Sequence, residues 1–158
     1  MAQISIRPAR RGDEGLILYF VNKLAAYEKL ESKVVATEEL LVEWVFDKQK
    51  AEVIFVRADG REVGFALFFH NFSTFLGRAG IYLEDLFVEE EYRGCGCGRA
   101  LLTELACIAV QRGCGRLEWS CLDWNTPSIG FYLSLGAIPM EGWTVYRLTG
   151  NALKELGK

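Results

Sequence analysis

The ten residues Glu91-Tyr92-Arg93-Gly94-Cys95-Gly96-Cys97-Gly98-Arg99-Ala100 carry the densest chemical information in the chain. Gly94, Gly96 and Gly98 leave nearby amides unshielded by side chains, so the loop can turn several N–H groups toward one point. A helix opening directly after it adds its positive N-terminal end, and Arg93 and Arg99 add full charges at the flanks. The combination suits a pyrophosphate. Just upstream, Glu84 and Asp85 stand side by side in the apolar run Ile81-Tyr82-Leu83-Glu84-Asp85-Leu86-Phe87-Val88. Two carboxylates there are costly unless the run opens onto a polar cleft or one of them pairs with an arginine at the core edge. On a strand they leave opposite faces unless a bulge intervenes. Downstream, Tyr132 follows Phe131 on a helical run, where the pair reads as core aromatics.

The elements that must position these groups follow from periodicity. Gln3-Ile4-Ser5-Ile6-Arg7 alternates like a strand and stops at Pro8, and Asp13 is placed to cap a helix carrying Leu16, Ile17, Phe20, Val21 and Leu24 on one stripe. That helix ends near Tyr27-Glu28-Lys29. Thr37 caps a second, with Leu41, Trp44 and Val45 on its apolar side. Residues 52–57 and 62–69 read as strands joined at Asp59-Gly60, a hairpin signal because both residue types tolerate positive φ. The strand 81–88 leads into the glycine loop and a helix over 100–112 that stops at Gly113. Residues 116–122 form the next strand. Asn125-Thr126-Pro127-Ser128 starts a helix that ends at Gly136, and 143–148 is the last strand. The order β-α-α-β-β-β-α-β-α-β predicts one α/β domain over residues 1–158, with an antiparallel start and parallel pairing around the loop.

Composition narrows the function classes. Hydrophobic residues make up 51% and charged residues 25%, a globular balance. A net charge of -3 lacks the basic footprint of a nucleic-acid binder. The five cysteines, Cys95, Cys97, Cys107, Cys114 and Cys121, form no CxxC pair and are odd in number, which favours reduced thiols. With His70 the only histidine, no metal site is expected. No apolar run reaches membrane-spanning length and no signal peptide is recognisable, so a cytoplasmic protein is expected.

Gly94-x-Gly96-x-Gly98 is not the dinucleotide fingerprint, and no Gly-Lys-Ser/Thr follows it as a P-loop requires. Arg93-Gly94-Cys95-Gly96-Cys97-Gly98 does match the acyl-CoA signature of the GNAT N-acetyltransferases, whose pattern is Gln/Arg-x-x-Gly-x-Gly/Ala. The chain further resembles the spermidine/spermine and thialysine N-acetyltransferases in four segments in family order. These are Leu24-Ala25-Ala26-Tyr27-Glu28, Tyr82-Leu83-Glu84-Asp85-Leu86-Phe87-Val88, Trp124-Asn125-Thr126-Pro127-Ser128-Ile129-Gly130-Phe131-Tyr132 and Glu141-Gly142-Trp143.

The resemblance implies a mixed central sheet flanked by helices, with the acyl-CoA loop between a central strand and the next helix. It implies acetyl-CoA as co-substrate and no metal. Leu86, Phe87 and Val88 would hold the pantetheine arm by main-chain contacts. Arg93, Gly94, Cys95, Gly96, Cys97, Gly98 and Arg99 would surround the pyrophosphate, the two cysteines through backbone rather than as nucleophiles, with Asn125 and Ser128 approaching the arm. Glu84 would be the base, acting through water, and Tyr132 the acid for the leaving thiolate. Tyr27, Glu28, Asp85, Glu141 and Trp143 would receive a small cationic amine. A homodimer is implied as well. Leu133-Ser134-Leu135-Gly136-Ala137 lacks the basic residues that such relatives often carry there. A peptide-amine acetyltransferase and a noncatalytic acyl-CoA-binding module remain the alternatives.

Overall fold

A computed structural model describes residues 3–158. They divide into two compact units, residues 3–120 and 121–158. In the first, β1 (Ile4–Pro8), β2 (Glu52–Ala58), β3 (Arg61–Ser73), β4 (Arg78–Val88) and β5 (Leu117–Trp119) form one sheet in that spatial order. The first three pairings are antiparallel and β4–β5 is parallel, as the sequence order predicts. Asp59 and Gly60 turn the β2–β3 hairpin at φ 54° and 84°, the left-handed pair that a two-residue turn needs to match strand twist.

Both faces of the sheet are covered, so β2 and β3 read as nearly continuous apolar runs rather than alternating ones. One face packs Val53, Phe55, Phe65 and Phe87 against Ile17 and Phe20 of α1 (Glu14–Tyr27) and against Val45. Phe20 stacks on Phe65 with ring centres 5.5 Å apart. Helix α3 (Cys97–Gln111) packs on β1, β2 and β4, burying Leu101, Leu102, Leu105 and Ala109. It starts three residues before the expected Ala100, so the last glycine of the loop is already helical.

Two helix starts differ in their capping. Thr37 caps α2 (Glu38–Leu41), its hydroxyl accepting from the Leu40 N–H at 3.2 Å. Asp13 occupies the N-cap of α1, yet its carboxylate accepts from Arg7 at 2.8 Å and from the Arg10 N–H. A charged partner outcompetes the helix amide. Beyond α2 the chain widens into a π-type turn, Val42–Asp47, which buries Val45 but leaves Trp44 half exposed under the Lys48 ammonium.

Arg7 also binds Glu62 at 2.9 Å, so one guanidinium ties β1 to the start of α1 and to β3. It holds the carboxyls of Asp13 and Glu62 below their ordinary values, first through its hydrogen bonds. Groups with lowered folded pKa values stabilise the fold fully above the unfolded carboxylate range. That stability is lost as pH falls through the folded values. Urea midpoints are therefore expected to drop on acidification below about pH 4, and Arg7→Met to flatten that dependence. Parallel wild-type and variant curves would remove this triad from the acid response.

The second unit holds α4 (Thr126–Ser134) and α5 (Gly150–Leu156). Asn125 caps α4, with Pro127 in its first turn and Gly136 at φ 91° past its end, as expected. The strand expected over 143–148 is not formed. Trp143, Val145 and Tyr146 have strand-forming side chains, but a strand also needs a ladder, and among the described residues this segment pairs with none. The three side chains are 81%, 82% and 92% exposed. Likewise β5 pairs over three residues rather than the expected seven. Helix α5 lies beyond the last element that periodicity predicts, although Ala152, Leu153, Lys154, Glu155 and Leu156 are all strong helix formers.

Candidate active site

The first unit's candidate residues gather where β4 loses a neighbour. Pairing with β5 stops at Leu83 opposite Trp119, whereas β4 runs on to Val88. A Tyr82 Oη–Ser120 Oγ contact of 2.8 Å closes the paired end just before the strands part. Beyond it, residues 85–88 pair only with β3. Their other edge presents backbone N–H and C=O groups with no β partner among the described residues, a template for an extended chain.

The β3–β4 register slips at the same place. Leu67 faces Asp85 but Phe68 faces Leu83, so Glu84 is the extra residue of a bulge. It is exposed, and Asp85 is half-buried. Asp85 stands two residues before Phe87 and opposite Leu67, both part of the core beneath α1. Among the described residues, neither Glu84 nor Asp85 lies in an ion pair, so the arginine-paired alternative does not hold. Burial, then the charges of Glu84 and Glu28, push the Asp85 carboxyl up to about 6. Glu28, at the C-cap of α1, is also raised, by burial. These three carboxyls form an acidic corner that pairs with no cation among the described residues.

Arg93 is held at the other end of this edge. Its Nε donates to the Val88 carbonyl at 2.9 Å, and its guanidinium lies 4.8 Å from the Tyr27 ring centre and 5.3 Å from that of Phe87. Its own N–H is spent on Glu90 in the turn Glu90–Tyr92. Arg93 thus fastens the loop to the strand end, and its side chain contributes positive charge beside the loop. Tyr27 packs on that guanidinium as well as neighbouring Glu28. An open cleft of about 290 Å³ lies between Lys23 and Tyr27 of α1 and Phe87, Glu89 and Arg93.

Gly94 and Gly96 adopt φ 74° and 93°, conformations that favour glycine, and Gly96 is the N-cap of α3. Among the described residues, the N–H groups of Gly94, Cys95 and Gly96 donate to no protein acceptor. The first-turn amides of α3, from Cys97, Gly98 and Arg99, add the donors that every helix start leaves unpaired. Arg99 is exposed beside them. Cys95 is exposed and Cys97 buried; burial, with a smaller contribution from Cys95, pushes the Cys97 thiol up, which argues against a thiolate nucleophile there. The loop fits a diphosphate, and the open edge that precedes it fits an extended amide-bearing arm.

Sequence reasoning missed Glu89. It is 7% exposed and accepts from Tyr19 Oη at 2.5 Å, with the Lys23 ammonium at 3.7 Å. It locks α1 onto the end of β4. A carboxylate directly after an apolar strand was the available signal.

Within the second unit, Asn125 is 8% exposed and its Oδ1 accepts from the Ser128 N–H at 3.4 Å. Tyr132 is half-buried on α4, its ring centre 5.7 Å from that of Phe131. Glu141 and Trp143 are exposed on the stretch between α4 and α5.

Comparison with known proteins agrees with this geometry. The model of the acetyltransferase (GNAT) family matches residues 19–137. A thialysine N-epsilon-acetyltransferase from Bos taurus is 38% identical over 99% of this chain and 98% of its own. An L-ornithine N5-acetyltransferase from Arabidopsis thaliana is 47% identical over 60% of this chain and 42% of its own. Among solved structures, an integron cassette protein from V. cholerae superposes with a TM-score of 0.81 at 29% identity, covering 98% of both chains. A sheet that parts beside a glycine-lined helix start, in a sequence with these matches, identifies the chain as a member of the GNAT acetyltransferase family.

Proposed function

We propose that this acetyltransferase moves the acetyl group of acetyl-CoA directly onto a primary amine of a small diamine or lysine-like compound. The observation that supports it most is the open edge of β4 running into the unpaired amides of the glycine loop. The open edge of β4 over Leu86, Phe87 and Val88 holds the pantetheine arm by main-chain contacts. The amides of residues 94–99, with Arg93 and Arg99, take the pyrophosphate, and Asn125 and Ser128 contact the arm. When bound, acetyl-CoA supplies an activated acyl carbon. A strand amide near Phe87 or Val88 polarises its carbonyl.

The chain's side chains handle the protons and the acceptor. An alkyl ammonium has a pKa near about 10, so it must lose a proton before its nitrogen can attack. The Glu84–Asp85 pair removes it, with Glu84 the base in the sequence-based assignment, and Tyr132 protonates the departing thiolate. Tyr27, Glu28, Asp85, Glu141 and Trp143 bind the acceptor, carboxylates neutralising its second ammonium and aromatic faces covering its methylenes. Thialysine and ornithine, the acceptors in the names of two relatives, both pair a terminal amine with a second one. The working protein is a cytoplasmic homodimer. No helix among the described residues is long and apolar enough to cross a membrane.

The test is a turnover screen with acetyl-CoA across thialysine, ornithine, lysine, spermidine and short peptides, following thiol release. Small diamines are expected to react at least tenfold faster, in kcat/KM, than peptides. Preference for peptides would replace the acceptor class, and acetyl-CoA binding without any turnover would favour the noncatalytic module.

A further inference from the structure

The bulge in β4 gives the two adjacent carboxylates different surroundings. Glu84 is the residue that the ladder skips, and water reaches it. Asp85 turns to the face beneath α1, where Leu67 meets it from β3. The charged groups that face it are Glu84 on its own strand and Glu28 at the end of α1, both negative. Among the described residues it accepts no hydrogen bond and pairs with no cation.

We propose that Asp85, which the bulge turns beneath α1, takes the proton of the acceptor ammonium rather than Glu84, and that Glu28 and Glu84 are positioning charges beside it. This rests on the reading of the open end of β4 as the amine-acetylating site. An ordinary carboxylate is a weak base toward an alkyl ammonium with a pKa near about 10. Burial beside like charges narrows that gap, raising Asp85 to about 6, and a closer match favours general-base catalysis. An incoming ammonium supplies the counter-charge that this corner lacks.

The balance is simple. The Asp85 carboxylate accepts one N–H proton and passes it to solvent. The freed nitrogen lone pair forms the bond to the acetyl carbon, and the carbon–sulfur bond breaks with its electron pair on sulfur. The proton that Tyr132 gives to that sulfur is balanced by the second proton leaving nitrogen.

The experiment is the pH dependence of kcat/KM at saturating acetyl-CoA, with whichever diamine the wild type turns over fastest. Activity of the wild type is expected to fall as pH drops through about 6, where Asp85 becomes protonated. Asp85→Asn should remove that limb and lower kcat about 100-fold or more. Glu28→Gln and Glu84→Gln should keep the limb but move it to lower pH, because losing a neighbouring negative charge lowers the Asp85 pKa. Their kcat should fall less than tenfold. A Glu84→Gln enzyme with no limb, beside an Asp85→Asn enzyme that retains one, would overturn the assignment while leaving the acetyltransferase reading intact. A wild type that acetylates no amine would instead fail that reading, and this role with it. Because Glu84 is exposed, its variant folds independently of how Asp85→Asn behaves.

Discussion

Tyr132→Phe is expected to lower kcat about 100-fold or more while acetyl-CoA affinity stays within about twofold. General-acid assistance is worth roughly 10²–10⁴ in rate, and phenylalanine removes only the hydroxyl. A phenol near pKa about 10 and a thiol near about 8.5 are close enough for efficient proton transfer once positioned. The ring itself packs 5.7 Å from Phe131 on α4, so a phenyl in its place preserves the helix surface. Thiol release would be followed at saturating acetyl-CoA and acceptor, and binding of acetyl-CoA measured separately by calorimetry. Turnover near that of the wild type would take Tyr132 out of the proton path. A parallel loss of affinity would make it a binding residue.

Gly64→Ala should damage both the fold and the donor site. Gly64 lies on β3 between Val56 and Val88, and a Cβ built there stands 2.5 Å from the Phe87 carbonyl oxygen and 3.1 Å from the Val88 Cα. Both are backbone atoms of the central sheet, which cannot yield as a flexible side chain would. The methyl must push β4 away from β3 at the residues whose main-chain groups are proposed to receive the pantetheine arm. Overpacking of this kind costs about 2–3 kcal/mol, which lowers Tm by roughly 5–10 °C in a chain of this size. The KM for acetyl-CoA should rise at least fivefold. Gly130→Ala is the contrast. That glycine is helical, meets nothing within 4 Å, and has no positive φ, so alanine there should hold or raise Tm. Equal Tm values for Gly64→Ala and wild type would show that β4 accommodates the methyl without cost.

The parts of the site legible in the sequence are those governed by local backbone chemistry. Three glycines at alternate positions between an apolar run and a helical stripe specify a loop with accessible amides, whatever it packs against. Asp59-Gly60 specifies its hairpin, and Asn125 and Thr37 their caps, because each interaction closes within a few residues. Where a residue's best partner lies on another element, local signals are insufficient. Asp13 reads as a cap, but Arg7 takes its carboxylate. Residues 143–148 read as a strand, but strand formation depends on a neighbour that periodicity cannot name.

What the sequence by itself determined is the family, the glycine loop with its accessible amides and the identity of the chemical groups. Only the tertiary structure decided how Glu84 and Asp85 differ. Adjacent in sequence, they have the same chemistry and nearly the same intrinsic acidity. The extra residue in β4 leaves one in water and turns the other toward half-buried, like-charged surroundings, where it pairs with no cation among the described residues. Burial and distance to other charges are properties of the folded chain, and they set how readily a carboxyl holds a proton.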